Sequence, residues 1–191
     1  MIRILGGQFR SREVTTPKGS VTRPTSSQIR AAVFNMCQSC IEGARFLDIC
    51  AGSGAMGLEA VSRGAVHAGF IEHNRYAIFA IKENIKRFNV ENECILHFGD
   101  ANAVLKGLSG PFDMCYFDPP YTHVKGPVSD LVVSVLTLLD QRPGLLSEGA
   151  YVFLEESSLA SLKDTSFKHL VLESSRRYGS SQLFCFRYHN S

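Results

Sequence analysis

Apolar residues in this chain follow two alternating rhythms. Arg45–Cys50, His67–Glu72, Cys94–Gly99, Met114–Phe117 and Tyr151–Glu155 are short runs dense in apolar side chains. Such runs mark strands buried on both faces. Between them the apolar residues recur at helical spacing. Ser53–Arg63 reads as a helix. Asn74–Phe88 reads as a longer one with Ala77, Ile81 and Ile85 on one face. Val128–Leu139 reads as a third, with Leu131, Val135, Leu138 and Leu139 turned inward. Strands alternating with helices predict an α/β fold, a mostly parallel sheet with helices on both faces. Two further β-rich runs, His169–Glu173 and Gln182–Tyr188, are joined through Tyr178-Gly179-Ser180 and bring the expected sheet to seven strands.

Ahead of this body, residues 2–16 hold two β-rich runs separated by Gly6-Gly7, which reads as an amino-terminal β-hairpin with its turn at the glycines. Pro17-Lys18-Gly19 and Arg23-Pro24 make a loop. Thr25 then suits the N-cap of a helix carrying Ile29, Ala32, Val33 and Met36. The expected organisation is a hairpin and loop at 1–24, then one α/β domain at 25–191.

Charge adds to this picture. The chain carries +2 over 191 residues. Residues 1–30 hold Arg3, Arg10, Arg12, Lys18, Arg23 and Arg30 against Glu13 alone, so the remainder is net acidic. A basic arm on a slightly acidic body suits a polyanionic partner. Arg3, Arg10, Arg12, Arg23 and Arg30 are therefore the candidate substrate-binding residues. Composition is ordinary for a soluble domain, and no apolar run has the length of a membrane span. With no apolar leader at the start, a cytoplasmic protein is expected. Of the six cysteines, Cys50, Cys94, Cys115 and Cys185 lie in strand-like runs. Cys37-x-x-Cys40 stands alone, without a second pair or histidines at finger spacing. Reduced thiols and no metal site are expected. The six histidines carry no motif.

The candidate chemistry lies at the ends of the predicted strands, where open α/β sheets bind ligands. The first strand runs into Asp48-Ile49-Cys50-Ala51-Gly52-Ser53-Gly54-Ala55-Met56-Gly57, and Glu72 ends the next strand twenty residues beyond Gly52. That matches the dinucleotide fingerprint, with an acid placed for ribose hydroxyls. Three features favour another adenosyl cofactor over NAD. Asp48, four residues before the first glycine, can meet an ammonium group. Asp100, in Gly99-Asp100-Ala101 at the third strand end, can accept from an adenine amine. Asp118-Pro119-Pro120-Tyr121, at the fourth strand end, offers an acid, an unpaired carbonyl and an aromatic face to a planar group bearing NH₂. No hydride-transfer partner is evident. Together these residues predict a Rossmann-like S-adenosylmethionine-dependent methyltransferase. Asp48, Gly52, Ser53, Gly54, Glu72, Asp100, Ala101 and Asp118 form the cofactor set; Asp118, Pro119 and Tyr121 form the catalytic set.

Several further stretches sharpen this. They are Ile4-Leu5-Gly6-Gly7-Gln8-Phe9-Arg10-Ser11-Arg12, Thr22-Arg23-Pro24-Thr25 with Arg30, Phe34 and Asn35, and Ala51–Ala60 with Ser62-Arg63-Gly64-Ala65. Phe117–Tyr121 and Arg177-Tyr178-Gly179 complete the set. On these residues nearly the whole chain resembles the bacterial 16S rRNA guanine-N2 methyltransferases that act on guanine 966. The amino-terminal block is the specific part, since many amine methylases share Asp-Pro-Pro-Tyr. Where such families usually carry an aromatic before the Ala-Gly loop, this chain has Cys50.

The resemblance implies methyl transfer to the exocyclic N2 of a guanine. Asp118 and the Pro119 carbonyl would accept from the amine, and Tyr121 would stack on a base flipped from its partner. It implies 16S ribosomal RNA within an assembling small subunit as partner, with the protein acting as a monomer, without membrane or metal. Two other readings stay open: an amine methylase acting on DNA or protein glutamine, and an RNA-binding module without catalysis. The Arg-rich hairpin favours structured RNA over a protein substrate, and intact Asp118 and Tyr121 favour an active enzyme.

Overall fold

The computed structural model describes residues 2–17, 26–120, 126–162 and 166–190. β1 (Ile2–Arg3) and β2 (Glu13–Val14) pair antiparallel and precede α1 (Ser27–Met36). The body then runs β3 (Arg45–Ile49), α2 (Ala55–Ser62), β4 (His67–Glu72), α3 (Arg75–Phe88), β5 (Cys94–Phe98), α4 (Ala101–Gly107) and β6 (Phe112–Phe117). It continues with β7 (Gly126–Pro127), α5 (Asp130–Gln141), β8 (Leu146–Ser157), β9 (Ala160–Ser161), β10 (Leu170–Tyr178) and β11 (Ser181–Tyr188). Seven strands form one sheet in the order β10-β11-β8-β6-β3-β4-β5. The four pairings from β8 across to β5 are parallel. β11 is antiparallel to both β8 and β10. β7 and β9 form a separate parallel pair.

Strand alternation divides the core between the two faces. Leu47 and Ile49 of β3 join Cys115 and Phe117 of β6 under α4 and α5. Phe46, Met114 and Tyr116 point the other way, against α1 and α2. Phe70 of β4 packs with α2, α3 and the hairpin residues Ile2, Ile4 and Val14. All six cysteines are free thiols. Among the described residues no helix is long and apolar enough to cross a membrane.

The hairpin departs from its expected form. Its strands are two residues each, and residues 4–12 form a broad loop laid against α2, so Gly6-Gly7 is not a tight turn. The glycines answer to close approach. Gly7 has φ +74°, and a Cβ there would lie 1.7 Å from the Ser62 carbonyl oxygen. Gln8 N donates to that carbonyl, Phe9 N donates to Ser62 Oγ, and Ser62 Oγ donates to the Gly6 carbonyl. Glu59, fully buried in α2, accepts from Leu5 N at 2.7 Å, Gly6 N at 2.8 Å and Arg63 Nε at 2.8 Å. Asn84 of α3 closes the other end, exchanging hydrogen bonds with the backbone of Thr15. The hairpin is therefore part of the body's packing.

Arg30 corrects an expectation. It is 3% exposed, its Nη1 donates to the Arg3 carbonyl at 2.9 Å, and it lies 3.6 Å from Glu59. Burial pushes its pKa down, against the pull of Glu59. A guanidinium held this way ties the hairpin to α1 and does not reach an external phosphate. Ser26, not Thr25, caps α1, its Oγ accepting from Ile29 N; Thr25 lies outside the described residues. α4 had no counterpart in the sequence reading.

Candidate active site at the carboxyl edge of the sheet

The order β6-β3-β4-β5 places β3 and β6 side by side, although three helices and two strands separate them in sequence. From β3 the chain proceeds outward to β4 and β5, then returns to the far side at β6. This reversal is the crevice where doubly wound sheets bind ligands. The glycine loop leaves β3 on one side of it, and Asp118-Pro119 leaves β6 on the other.

The loop at residues 50–54 is built from left-handed backbone. Cys50 has φ 62°, Gly52 φ 56° and Gly54 φ 75°. The three glycines serve different ends. A Cβ on Gly57 would lie 2.3 Å from the Phe70 ring, so this glycine lets α2 close on β4. Gly54 is also confined, by Phe70 and Ile81. Around Gly52, among the described residues and apart from its chain neighbours, no atom lies within 4 Å of where a Cβ would be, which leaves room for a ligand against the backbone.

Gly54 gives α2 no capping side chain. Asp48 supplies the missing acceptor from below, Oδ2 taking the Gly57 N–H at 3.0 Å. Asp48 is 2% exposed, and burial raises its pKa to about 8 against that hydrogen bond, with Glu72 adding to the rise. Glu72, the last residue of β4, accepts from Gly52 N, His73 N and Asn74 N, each at 2.8 Å. Its carboxylate is thereby held in one orientation beside the loop. Asp100 caps α4 through Oδ1 and Ala103 N and is exposed; Ala101 begins that helix, buried. Asp118 follows β6 and is half-buried, its N–H donating to the Ile49 carbonyl at 3.3 Å. Pro119 is buried.

Burial pushes the Cys50 thiol pKa upward, and Glu72, Asp118, Asp48 and Asp100 add to the rise where they are ionised. It is thus an inert, neutral thiol at the centre of four acids. Ser53 is buried in the loop, its carbonyl accepting from Asn84 Nδ2 at 3.0 Å.

Of the basic residues expected to meet the substrate, Arg3 and Arg10 are exposed on the hairpin, and Arg3 pairs with Glu13 at 2.9 Å. Arg12 is half-buried, its guanidinium 4.2 Å above the Phe88 ring. Tyr121 and Arg23 lie outside the described residues. Arg176 and Arg177, to which the sequence reading assigned no role, are exposed near the end of β10. β10 is antiparallel to β11, and β11 to β8, so β10 ends at the same edge as β8 and β6. Their signal was a basic pair at the close of a β-rich run. At the opposite edge, Cys40, Asp113, Ser147 and Arg187 line a cleft of about 330 Å³. Asp113 there already accepts from Arg45 N and Ser147 Oγ, which makes it part of the scaffold.

Comparison with known proteins follows the same outline. The family model described as Conserved hypothetical protein 95 matches residues 2–187. The Putative rRNA methyltransferase YlbH of Bacillus subtilis is 31% identical over 182 residues, covering 93% of this chain and 94% of its own. The Ribosomal RNA small subunit methyltransferase D of Escherichia coli K12 is 32% identical over 154 residues, covering 81% and 74%. The solved structure of the Putative methyltransferase yhhF from Escherichia coli superposes with a TM-score of 0.84 at 27% identity, over 100% of this chain and 99% of that one.

Proposed function

This chain belongs to the family described as Conserved hypothetical protein 95, and from that membership we propose that it transfers a methyl group from S-adenosylmethionine to the exocyclic N2 amine of a guanine in 16S ribosomal RNA. The observation that carries the reading is Asp118-Pro119 across the crevice from an open glycine loop, with acids ending each neighbouring strand. The residues fit the cofactor. Gly52 leaves its backbone open, Glu72 presents a fixed carboxylate for the ribose hydroxyls, and Asp100 stands at the next strand end for the adenine amine. Asp48, beneath the loop, would meet the methionine ammonium.

When bound, S-adenosylmethionine would supply the methyl of its sulfonium, the S–C bond breaking as the N–C bond forms and S-adenosylhomocysteine leaving as the neutral thioether. The chain's own contribution is binding and aim. A guanine N2 lone pair is delocalised into the ring. Acceptance of its two hydrogens by Asp118 and the Pro119 carbonyl localises that pair and points it at the methyl carbon. Tyr121 stacks on the extruded base. The surplus proton leaves after transfer, so no strong base is needed beforehand. The basic hairpin holds phosphates, and Arg176 and Arg177 stand where β10 ends, on the same sheet edge as Asp118. The substrate is RNA in an assembling small subunit, and the protein acts as a cytoplasmic monomer.

Tritium transfer from labelled cofactor to 16S rRNA, DNA and protein tests the reading. Label is expected in the RNA, at guanine N2. Label in DNA or protein alone would replace it with one of those substrates.

Two results are expected at the cofactor. Glu72→Ala should weaken S-adenosylmethionine binding by about 1–3 kcal/mol, because a charged acceptor is lost from the ribose hydroxyls. Unchanged affinity by calorimetry would remove Glu72 from the site. The second concerns protons. With its pKa near 8, Asp48 is protonated at neutral pH. A cationic group beside it favours the ionised form and lowers that value. Binding then expels a proton from Asp48, and affinity should rise with pH toward about 8 and fall above it as the free ligand's own ammonium deprotonates. Calorimetry in buffers of different ionisation enthalpy would show the release, and Asp48→Asn should abolish it. The sign for folding is opposite. The native state keeps a proton that the unfolded chain loses near 4, so Asp48 makes the apo protein less stable as pH rises from about 4 to 8.

A further inference from the structure

α3 buries Ala77, Ala80, Ile81, Asn84, Ile85 and Phe88 and leaves its other face without a partner among the described residues. That face is unusual for a helix covering a sheet. Phe79 is 70% exposed and Tyr76, three residues earlier, is 68% exposed. Arg75 lies one turn before Phe79, Lys82 one turn after and Lys86 two turns after, all exposed and within one arc of the helix. Glu83 is the one acid on this arc; Glu91 and Glu93 lie in the turn beyond.

Both ends of the face meet regions already described. At the carboxyl end, Arg12 of the hairpin donates from Nη2 to the Arg87 carbonyl at 2.5 Å, and exposed Arg10 adjoins it in sequence. At the amino end, the Asn74 cap donates its N–H to Glu72. The 14 residues of α3 span about 21 Å between hairpin and cofactor edge. At ~3.4 Å per stacked nucleotide this is the length of about six nucleotides.

We propose that the exposed face of α3 is a track for single-stranded RNA running from the hairpin to the cofactor edge, with Phe79 as a stacking platform and Lys82 and Lys86 as phosphate contacts. The proposal rests on the ribosomal RNA reading and extends its footprint. Aromatic rings interleaved with cations match a strand of flat bases on a polyanionic backbone. A partner helix would ask instead for a continuous apolar seam, and this face has only the two rings.

The test uses Phe79→Ala and the double variant Lys82→Glu/Lys86→Glu in the full chain. The probes are a single-stranded RNA oligonucleotide, for affinity against salt, and extracted 16S rRNA, for methyl transfer. Phe79→Ala should weaken oligonucleotide binding about 5- to 150-fold, the range for one lost base stack. The charge reversals should lower the magnitude of the salt slope by at least about 1.4. Thermal unfolding and cofactor affinity of both variants should match the parent, since these side chains project into solvent. Coincident affinities and slopes overturn the track. So does a parent that sediments as a dimer and a Phe79→Ala variant that is monomeric with unaltered RNA binding, which would make this a self-association face. A parent that transfers no label to 16S rRNA defeats the functional reading instead, and the oligonucleotide measurements still decide the track.

Discussion

Asp118→Ala is expected to lower kcat for methyl transfer by about 10²–10⁴-fold, the range for a positioned polar group acting on the reacting atoms. S-adenosylmethionine affinity should stay within a few-fold, because Asp118 acts mainly on the acceptor amine and the rest of the cofactor set is left in place. Asp118 begins where β6 ends, held by its N–H on the Ile49 carbonyl, and the prolines that follow stiffen the chain. Alanine leaves this backbone intact and removes one acceptor, so the amine keeps its room and loses its direction. Asp118→Asn retains an oxygen acceptor and should recover part of the rate. Single-turnover kinetics separate the transfer step from binding. Wild-type turnover in the alanine variant would take Asp118 out of the chemistry.

The largest stability effect should come from a residue that touches no ligand. Glu59→Ala is expected to cost about 3–5 kcal/mol, the usual consequence of removing one partner from a buried ion pair. Glu59 faces Arg30 and Arg63 and accepts two backbone N–H groups from the hairpin. Alanine leaves Arg30 charged and enclosed, and strands the Leu5 and Gly6 donors. Glu59→Gln keeps acceptor geometry for part of this set and should fall between. Denaturant unfolding measures the effect, and a loss below 1 kcal/mol would mean the network relaxes onto water. For the same reason, deleting residues 1–16 would damage the fold together with any RNA contact. Surface substitutions are the sounder probe of the hairpin.

The site was more legible in the sequence than the arm beside it. Glu72, Asp100 and Asp118 stand at or just after the end of an apolar run, Asp48 stands one residue before the end of another, and an acid at the close of a strand marks the ligand edge. The glycine spacing placed the helix that follows β3, read from Ser53 and found from Ala55 after the left-handed Gly54. The hairpin was misread because Gly6-Gly7 fits both a tight turn and a close approach, and only the position of Ser62 decides between them. Arg30 looked like part of a basic surface because charge is counted along the chain while burial is set by α1 packing against α2. One clue to it was present. Glu59 stands in Ala-Met-Gly-Leu-Glu-Ala-Val-Ser, a helix otherwise without charge, and such an acid requires a partner. α4 escaped notice because seven residues with two buried side chains, Ala101 and Leu105, make too short a pattern.

The attachment of the hairpin has a consequence for protein engineering. An arm joined by a flexible linker can be exchanged between homologues as a cassette. This one cannot be lifted out at residue 24, because Leu5, Gly6, Phe9 and Thr15 are bonded to Glu59, Ser62 and Asn84. The smallest transplantable unit is the hairpin together with α1, α2 and α3. A chimera that respects this seam, and carries new side chains at Arg3 and Arg10, could retarget the enzyme while leaving its glycine loop untouched.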